Sequence, residues 1–192
     1  LRAHGVVEGE GEELELREDI AMLLGAILDC DVSLELETAT AEGALGTVLH
    51  LHENMAVLQR AHDGLVSLIV LRPDEVGRVL LSLCGEDPAA GEDVPQLAGV
   101  RVSRDALIAA ENGQGEAAPQ LADYLATVAS STRAGRAAAR GTLYGEPRAA
   151  CAWVAGATGT FVLHDRGHEA EVVRADGRRL AEQLLSLVGS PN

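Results

Sequence analysis

The chain has 192 residues, enough for one good hydrophobic core or for two small subdomains that share one. Hydrophobic residues make up 47% and charged residues 23%, the composition of an ordinary folded protein. All 15 basic residues are arginine against 30 acidic ones, and the net charge of −15 repels the phosphates of nucleic acid and anionic membranes.

The aromatic residues Tyr124, Tyr144, Trp153 and Phe161 are too few to build a base-stacking platform. Cys30, Cys84 and Cys151 stand far apart, form no Cys-x-x-Cys pair and have apolar neighbours, so each reads as a small hydrophobe. A reduced, cytoplasmic location follows as an expectation. The longest apolar stretch, Ile20 to Leu28, is about half a membrane span, so no membrane insertion is expected. No signal-peptide pattern precedes the first helix, and the start at Leu1 suggests that an N-terminal part is missing.

Between Glu8 and Asp19 the chain is strongly acidic and reads as a solvated lead-in. Ile20, Leu23, Leu24, Ile27 and Leu28 then recur at helical spacing, with Glu18 and Asp19 in the favoured first turn. Strict alternation over Val32 to Glu37 predicts a strand with one wet face. Leu45 to Glu53 and Met55 to His62 read as two more strands, and Asp63-Gly64 as a hairpin turn. Leu65 to Leu71 is nearly all apolar, which predicts a strand covered on both faces. Pro73 and Asp74 open a helix that Gly85 ends. Residues 86–97 read as a linker.

Val100 to Val102 predicts a short strand, and Ser103 caps a helix through Ala110. Glu111 to Glu116 has the composition of a loop. Residues 118–131 carry a second stripe of Leu121, Tyr124, Leu125 and Val128. Arg136 to Tyr144, Ala150 to Ala155, Thr160 to His164 and Glu169 to Arg174 read as strands, and Asp176 to Val188 as a closing helix.

The two halves look related. Leu80-Leu-Ser-Leu-Cys-Gly85 matches Leu184-Leu-Ser-Leu-Val-Gly189 at five of six positions, each at the end of a helix that follows strands. The expected fold is α+β, with two antiparallel strand-plus-helix units in pseudo-twofold arrangement around a continuous central sheet with flanking helices. The expected subdomains are residues 1–97 and 98–192, the second with a helical insertion at 103–132.

Candidate chemistry is sparse. On a strand, His50 and His52 share one face, and Glu53 or His62 could add a third metal ligand; a metal-dependent hydrolase using His50, His52 and Glu53 is therefore the alternative function. Alternation also predicts a wet face for both histidines, so no metal site or cofactor is assigned. Gly156-Ala-Thr-Gly159 precedes a strand-like stretch rather than a helix, which favours a hairpin over a phosphate cradle. No activated nucleophile stands out, and a non-enzymatic protein is expected. Arg133, Arg136 and Arg140 form the one local basic cluster, either a solvated strand face or a dock for an acidic partner. Trp153 reads as core or as an interface anchor.

Residues Glu15 to Leu28 with Val32 to Glu37, Met55 to Gly85 with Leu71-Arg-Pro-Asp74, Val100 to Ala110, Thr160 to His164 and Glu171 to Val188 resemble, in order and local character, the EspG-type chaperones of type VII (ESX) secretion in actinobacteria. The resemblance covers most of the chain. It implies a cytoplasmic chaperone that binds the helical tip of the PPE subunit in a PE–PPE heterodimer and keeps it soluble for secretion. The family's client-gripping hairpin would fall partly before Leu1 or at Ala39 to Gly46. Partner contacts are expected on the central sheet and on the helices between 103 and 132, with Gln120, Asp123, Thr127 and Trp153 as candidates. Self-association into a homodimer through one apolar sheet face is the remaining partner reading.

Overall fold

The alternation that predicts a strand from Val32 runs on to Thr40 in the computed structural model, which describes residues 7–8, 15–52, 54–62, 65–85, 99–114, 118–141 and 145–189. In chain order the elements are β1 (Val7–Glu8), β2 (Glu15–Leu16), α1 (Glu18–Leu28), β3 (Val32–Thr40), β4 (Gly43–Leu51), β5 (Ala56–His62), β6 (Leu65–Leu71) and α2 (Pro73–Cys84). Then come β7 (Val100–Ser103), α3 (Arg104–Glu111), a turn of 3-10 helix (Pro119–Leu121), α4 (Ala122–Ala129), β8 (Arg133–Arg140), β9 (Pro147–Gly156), β10 (Gly159–Asp165), β11 (Glu169–Ala175) and α5 (Gly177–Val188). The Asp63-Gly64 turn, the 86–97 linker, loop residues 115–117 and Tyr144 lie outside the described residues.

β1 pairs with β2, and the other strands form one nine-stranded antiparallel sheet in the order β6-β5-β4-β3-β8-β9-β10-β11-β7. From β3 the chain meanders outward to β6 and returns through α2; from β8 it meanders outward to β11 and returns through α5. The halves meet at the β3–β8 pair, where Glu37 stands opposite Arg136. This is the expected α+β fold with a continuous sheet. Beyond β11 the sheet gains β7, whereas β6 is an edge among the described residues.

One face of the sheet carries the larger core. Leu34, Leu36, Leu49, Leu58, Trp153 and Val162 meet Val76, Leu80 and Leu83 of α2 and Leu180, Leu184 and Leu187 of α5. Each fully buried leucine contributes about 1.5–3 kcal/mol, so these helical stripes are what hold the two returns against the sheet. Leu80 and Leu184, the first residues of the repeated string, are both fully buried, so the string marks the core side of equivalent helices. On the opposite face, Leu107, Leu121 and Tyr124 pack on Val154, Phe161 and Val172, with the Tyr124 and Phe161 rings edge-on at 5.8 Å.

Local capping agrees with the sequence. Ser103 Oγ accepts from the Ala106 N–H at 3.2 Å and Asp176 Oδ1 from the Arg179 N–H at 2.8 Å. Gly85 closes α2 at φ 76°, a conformation that only glycine adopts without strain.

One expectation is overturned. Leu65–Leu71 is a strand, but Leu65 is 75% exposed, Val66 61%, Ile69 43% and Val70 52%. A nearly all-apolar run fits a central strand and an unprotected edge equally well, and the meander sends this one to the edge among the described residues. Two boundaries also move. The last meander begins at Arg133, because β8 extends far enough to pair with the whole outer part of β3. Residues 118–131 split into a 3-10 turn started by Pro119 and the shorter α4.

Candidate functional site: an open sheet face

The helices on the second face cover its two sides and leave its middle bare among the described residues. α3 and α4 lie over β7 and β9–β11. α1 is fixed over β4 and β5 by two contacts: His52 Nε2–H donates to the Ala26 carbonyl at 2.5 Å, and Cys30 Sγ lies 3.8 Å from His50 Nδ1. Between them lies a groove of about 690 Å³ whose floor is the centre of the sheet. Register places Ala44, Gly46, Ala61, Ala138 and Ala150 on this face, so the floor is paved with small side chains. A neighbouring depression of about 510 Å³ shares Arg136 and Ala150 and reaches Leu107 and Ile108 on α3. Ile108 is 46% exposed there.

Charge crosses the floor as two ion pairs. Arg136 Nε donates to Glu37 Oε2 at 2.6 Å, and Arg140 Nε lies 2.9 Å from Glu35 Oε1. All four belong to β3 and β8, at the junction of the two halves. Exposed pairs of this kind add at most about 1 kcal/mol each to stability, so their consequence is chiefly to fix charge positions along the groove. Arg133, the third member of the basic cluster, turns away and donates to the Gly85 carbonyl at 2.5 Å. Arg136 and Arg140 are therefore neutralised in place by carboxylates, whereas Arg133 keeps its charge against a neutral carbonyl, so the three do not form one cationic dock.

The histidines do not share a wet face. His50 is fully buried under α1, because both sides of β4 are covered at this end, and Leu49 on the other side is equally buried. Burial raises the Cys30 thiol above its ordinary value, and Asp31 and Asp29 add to the rise while a backbone hydrogen bond opposes it. Cys30 Sγ faces His50 Nδ1, and His50 Nε2–H donates to Gln59 Oε1 at 3.0 Å. The ring is a satisfied core histidine. Glu53 lies outside the described residues, and among those described no group of three His, Cys, Asp or Glu is arranged to hold a metal ion. Among the described residues, His50 and His52 are committed to holding α1, and the Glu53 part of the hydrolase alternative lies outside them.

Of the candidate partner residues, Gln120 and Asp123 are exposed. Asp123 pairs with Arg174 at 3.6 Å. Thr127 and Trp153 are corrected: their exposures are 0% and 1%. Thr127 is buried because the Gly156–Gly159 hairpin reaches over α4, where Thr158 bonds both the Thr127 hydroxyl and the Asp123 carbonyl, the latter at 3.0 Å. Trp153 faces the larger core, its ring lying across Gly135 of the adjacent strand. Glu35, Glu37, Arg136 and Arg140 were not singled out together by sequence. Their signal was the alternation of acids on one strand and arginines at equal parity on another, which acquires meaning only once β3 and β8 are paired. The Ala39 to Gly46 segment is a tight hairpin whose turn is Ala41-Glu42.

A chain in the solved structure of the Mycobacterium tuberculosis type VII secretion system chaperone EspG5, in complex with a PE25–PPE41 dimer, is similar to this one, with a TM-score of 0.64. The match covers 97% of this chain and 81% of that one at 12% sequence identity. The likeness is one of fold. It extends to both halves of the sheet, since nearly the whole chain is aligned. No protein-family model matches the sequence, and no curated protein sequence does. No helix among the described residues is long and apolar enough to cross a membrane.

Proposed function

We propose that this protein is a non-catalytic chaperone that holds a PE–PPE type heterodimer on the open sheet face, acting in the cytoplasm ahead of type VII secretion. Its two subdomains, residues 1–97 and 98–192, would contribute the floor jointly. The observation that carries this reading is a sheet centre left bare by the described residues, on a fold similar to one solved in a complex of a chaperone with a PE25–PPE41 dimer.

The geometry supports it physically. Alanine and glycine on the floor let a helix end approach the sheet closely, and apolar side chains such as Ile108 border it. The Glu37–Arg136 and Glu35–Arg140 pairs offer fixed charges for orientation without adding a strong field of one sign. A client with an exposed apolar tip aggregates unless that tip is covered. A broad shallow groove suits such a tip better than a small-molecule substrate, which needs a more enclosed pocket.

Co-expression with PE–PPE heterodimers and co-purification tests the reading. Gly46→Arg with Ala150→Arg fills the groove; a Cβ at Gly46 meets nothing within 4 Å and Ala150 is exposed, so the fold is retained. The double variant should lose capture by at least tenfold at unchanged melting temperature. Failure of the unmodified chain to retain any PE–PPE heterodimer at any ionic strength, or equal capture by the variant, refutes the proposal.

A further inference from the structure

The two ends of the sheet are finished differently. β11 has its outer edge closed by β7, paired antiparallel from Glu169 opposite Ser103 to Val172 opposite Val100. β6 occupies the corresponding place in the first half, and among the described residues no strand lies beyond it. Edge strands are ordinarily protected by charge, proline, a bulge or brevity. β6 has none of these: its seven residues Leu65–Leu71 include no charged residue and no proline, and it pairs with β5 in unbroken register. Leu65 and Ile69 are exposed on one face of it, Val66 and Val70 on the other.

We propose that β6 pairs antiparallel with β6 of a second copy of this chain, joining two sheets in a weak twofold dimer centred on Leu68. The outer backbone groups of an edge strand are met by another strand, not by a helix face. A twofold axis sets two copies of one strand antiparallel, the sense in which the fold closes its other edge. Centred on Leu68, it puts Leu65 opposite Leu71, Val66 opposite Val70 and Ser67 opposite Ile69, so no charges meet and the exposed apolar side chains of both faces are extended by their counterparts. One strand pair of this length buries less than the ~1,200–2,000 Å² of a stable interface, so the dimer is concentration-dependent rather than obligate. The charge of −15 on each copy opposes it, and added salt therefore strengthens it. This association uses the sheet edge, leaves the open face free, and stands or falls separately from the client reading.

Sedimentation of the whole chain over a range of concentration and ionic strength tests the proposal. A reversible monomer–dimer equilibrium that shifts toward dimer with salt is expected. Val66→Lys with Val70→Lys sets lysines opposite one another and should abolish it; both positions are exposed, and an unchanged melting temperature confirms the fold. Leu68→Cys should trap a disulfide-linked dimer under mild oxidation, whereas Val66→Cys, displaced from the axis, should not. The native cysteines are buried, so background crosslinking is low. A monomer at every concentration and salt with no Leu68→Cys trapping, or a dimer indifferent to the lysine pair, overturns the proposal.

Discussion

Gly135→Ala puts the packing of the sheet centre to a quantitative test. A Cβ built there lies 2.1 Å from Trp153 Cζ2 and 2.5 Å from Cη2, far inside any real contact. Gly135 and Trp153 are cross-strand partners on β8 and β9, and the indole is 1% exposed within the larger core, so it cannot swing aside into solvent. Overpacking of this kind costs about 1–3 kcal/mol. Alanine recovers about 0.5–1 kcal/mol of that through its lower backbone entropy in a strand. The net loss is about 0.5–2 kcal/mol, a fall of roughly 0.25–1 M in the urea midpoint at an m-value of about 2 kcal/mol/M. In a Trp153→Phe background the ring atoms over Gly135 are gone, and the same substitution becomes neutral or stabilising. The cycle should therefore give a coupling of about 1–3 kcal/mol. Far-UV circular dichroism follows the unfolding, and Trp153, the one tryptophan of the chain, reports the displacement by its emission. Equal urea midpoints for Gly135→Ala and the unmodified chain, with unchanged emission, would refute the placement of the indole.

Gly85→Ala should cost about 1–2 kcal/mol for its left-handed backbone, and the new Cβ displaces the Arg133 guanidinium from the Gly85 carbonyl. Gly189→Ala, its counterpart in the repeat at φ −84°, should stay within about 0.5 kcal/mol of the unmodified chain; thermal melts of the two variants separate them. Burial, with Arg166 nearby, lowers His164 below the ordinary 6.5, whereas Glu171 and a bond to Gln183 oppose the shift. The folded state then binds its proton less readily than the unfolded chain, so this contribution is intact above about pH 6.5 and is lost as pH falls through the depressed value. His164→Gln should flatten that part of the stability profile, and an NMR titration of the ring should show a midpoint below 6.5. The Cys151 thiol is pushed up to about 12 by burial, and all three cysteines are buried. A thiol reagent at mildly alkaline pH should leave the native chain unlabelled and label all three in denaturant; rapid native labelling would contradict the packing.

The strand and helix order was legible because the period of the apolar residues changes from helical at Ile20–Leu28 to alternating at Val32–Glu37, and back again at Pro73 and Gly177. The Leu80–Gly85 and Leu184–Gly189 match likewise told that the chain contains two similar returns onto a sheet. Those are properties of neighbouring residues along one element, and local spacing decides them.

The site was not legible in that way. Glu35 and Glu37 meet Arg140 and Arg136 only through the β3–β8 pairing, which joins residues about a hundred positions apart in the chain. His50 looked wet by alternation and is buried because α1 happens to lie over it; Thr127 looked outward and is buried because a distant hairpin crosses α4. Leu65–Leu71 looked doubly covered and is an edge. Sequence by itself determined which stretches are strands and helices and which side of α2 and α5 must seek apolar company. Tertiary structure alone decided which polar faces are buried, which apolar strand is left at the rim and where the sheet stays bare, because exposure depends on what a second, remote segment covers, and residue spacing carries no record of that.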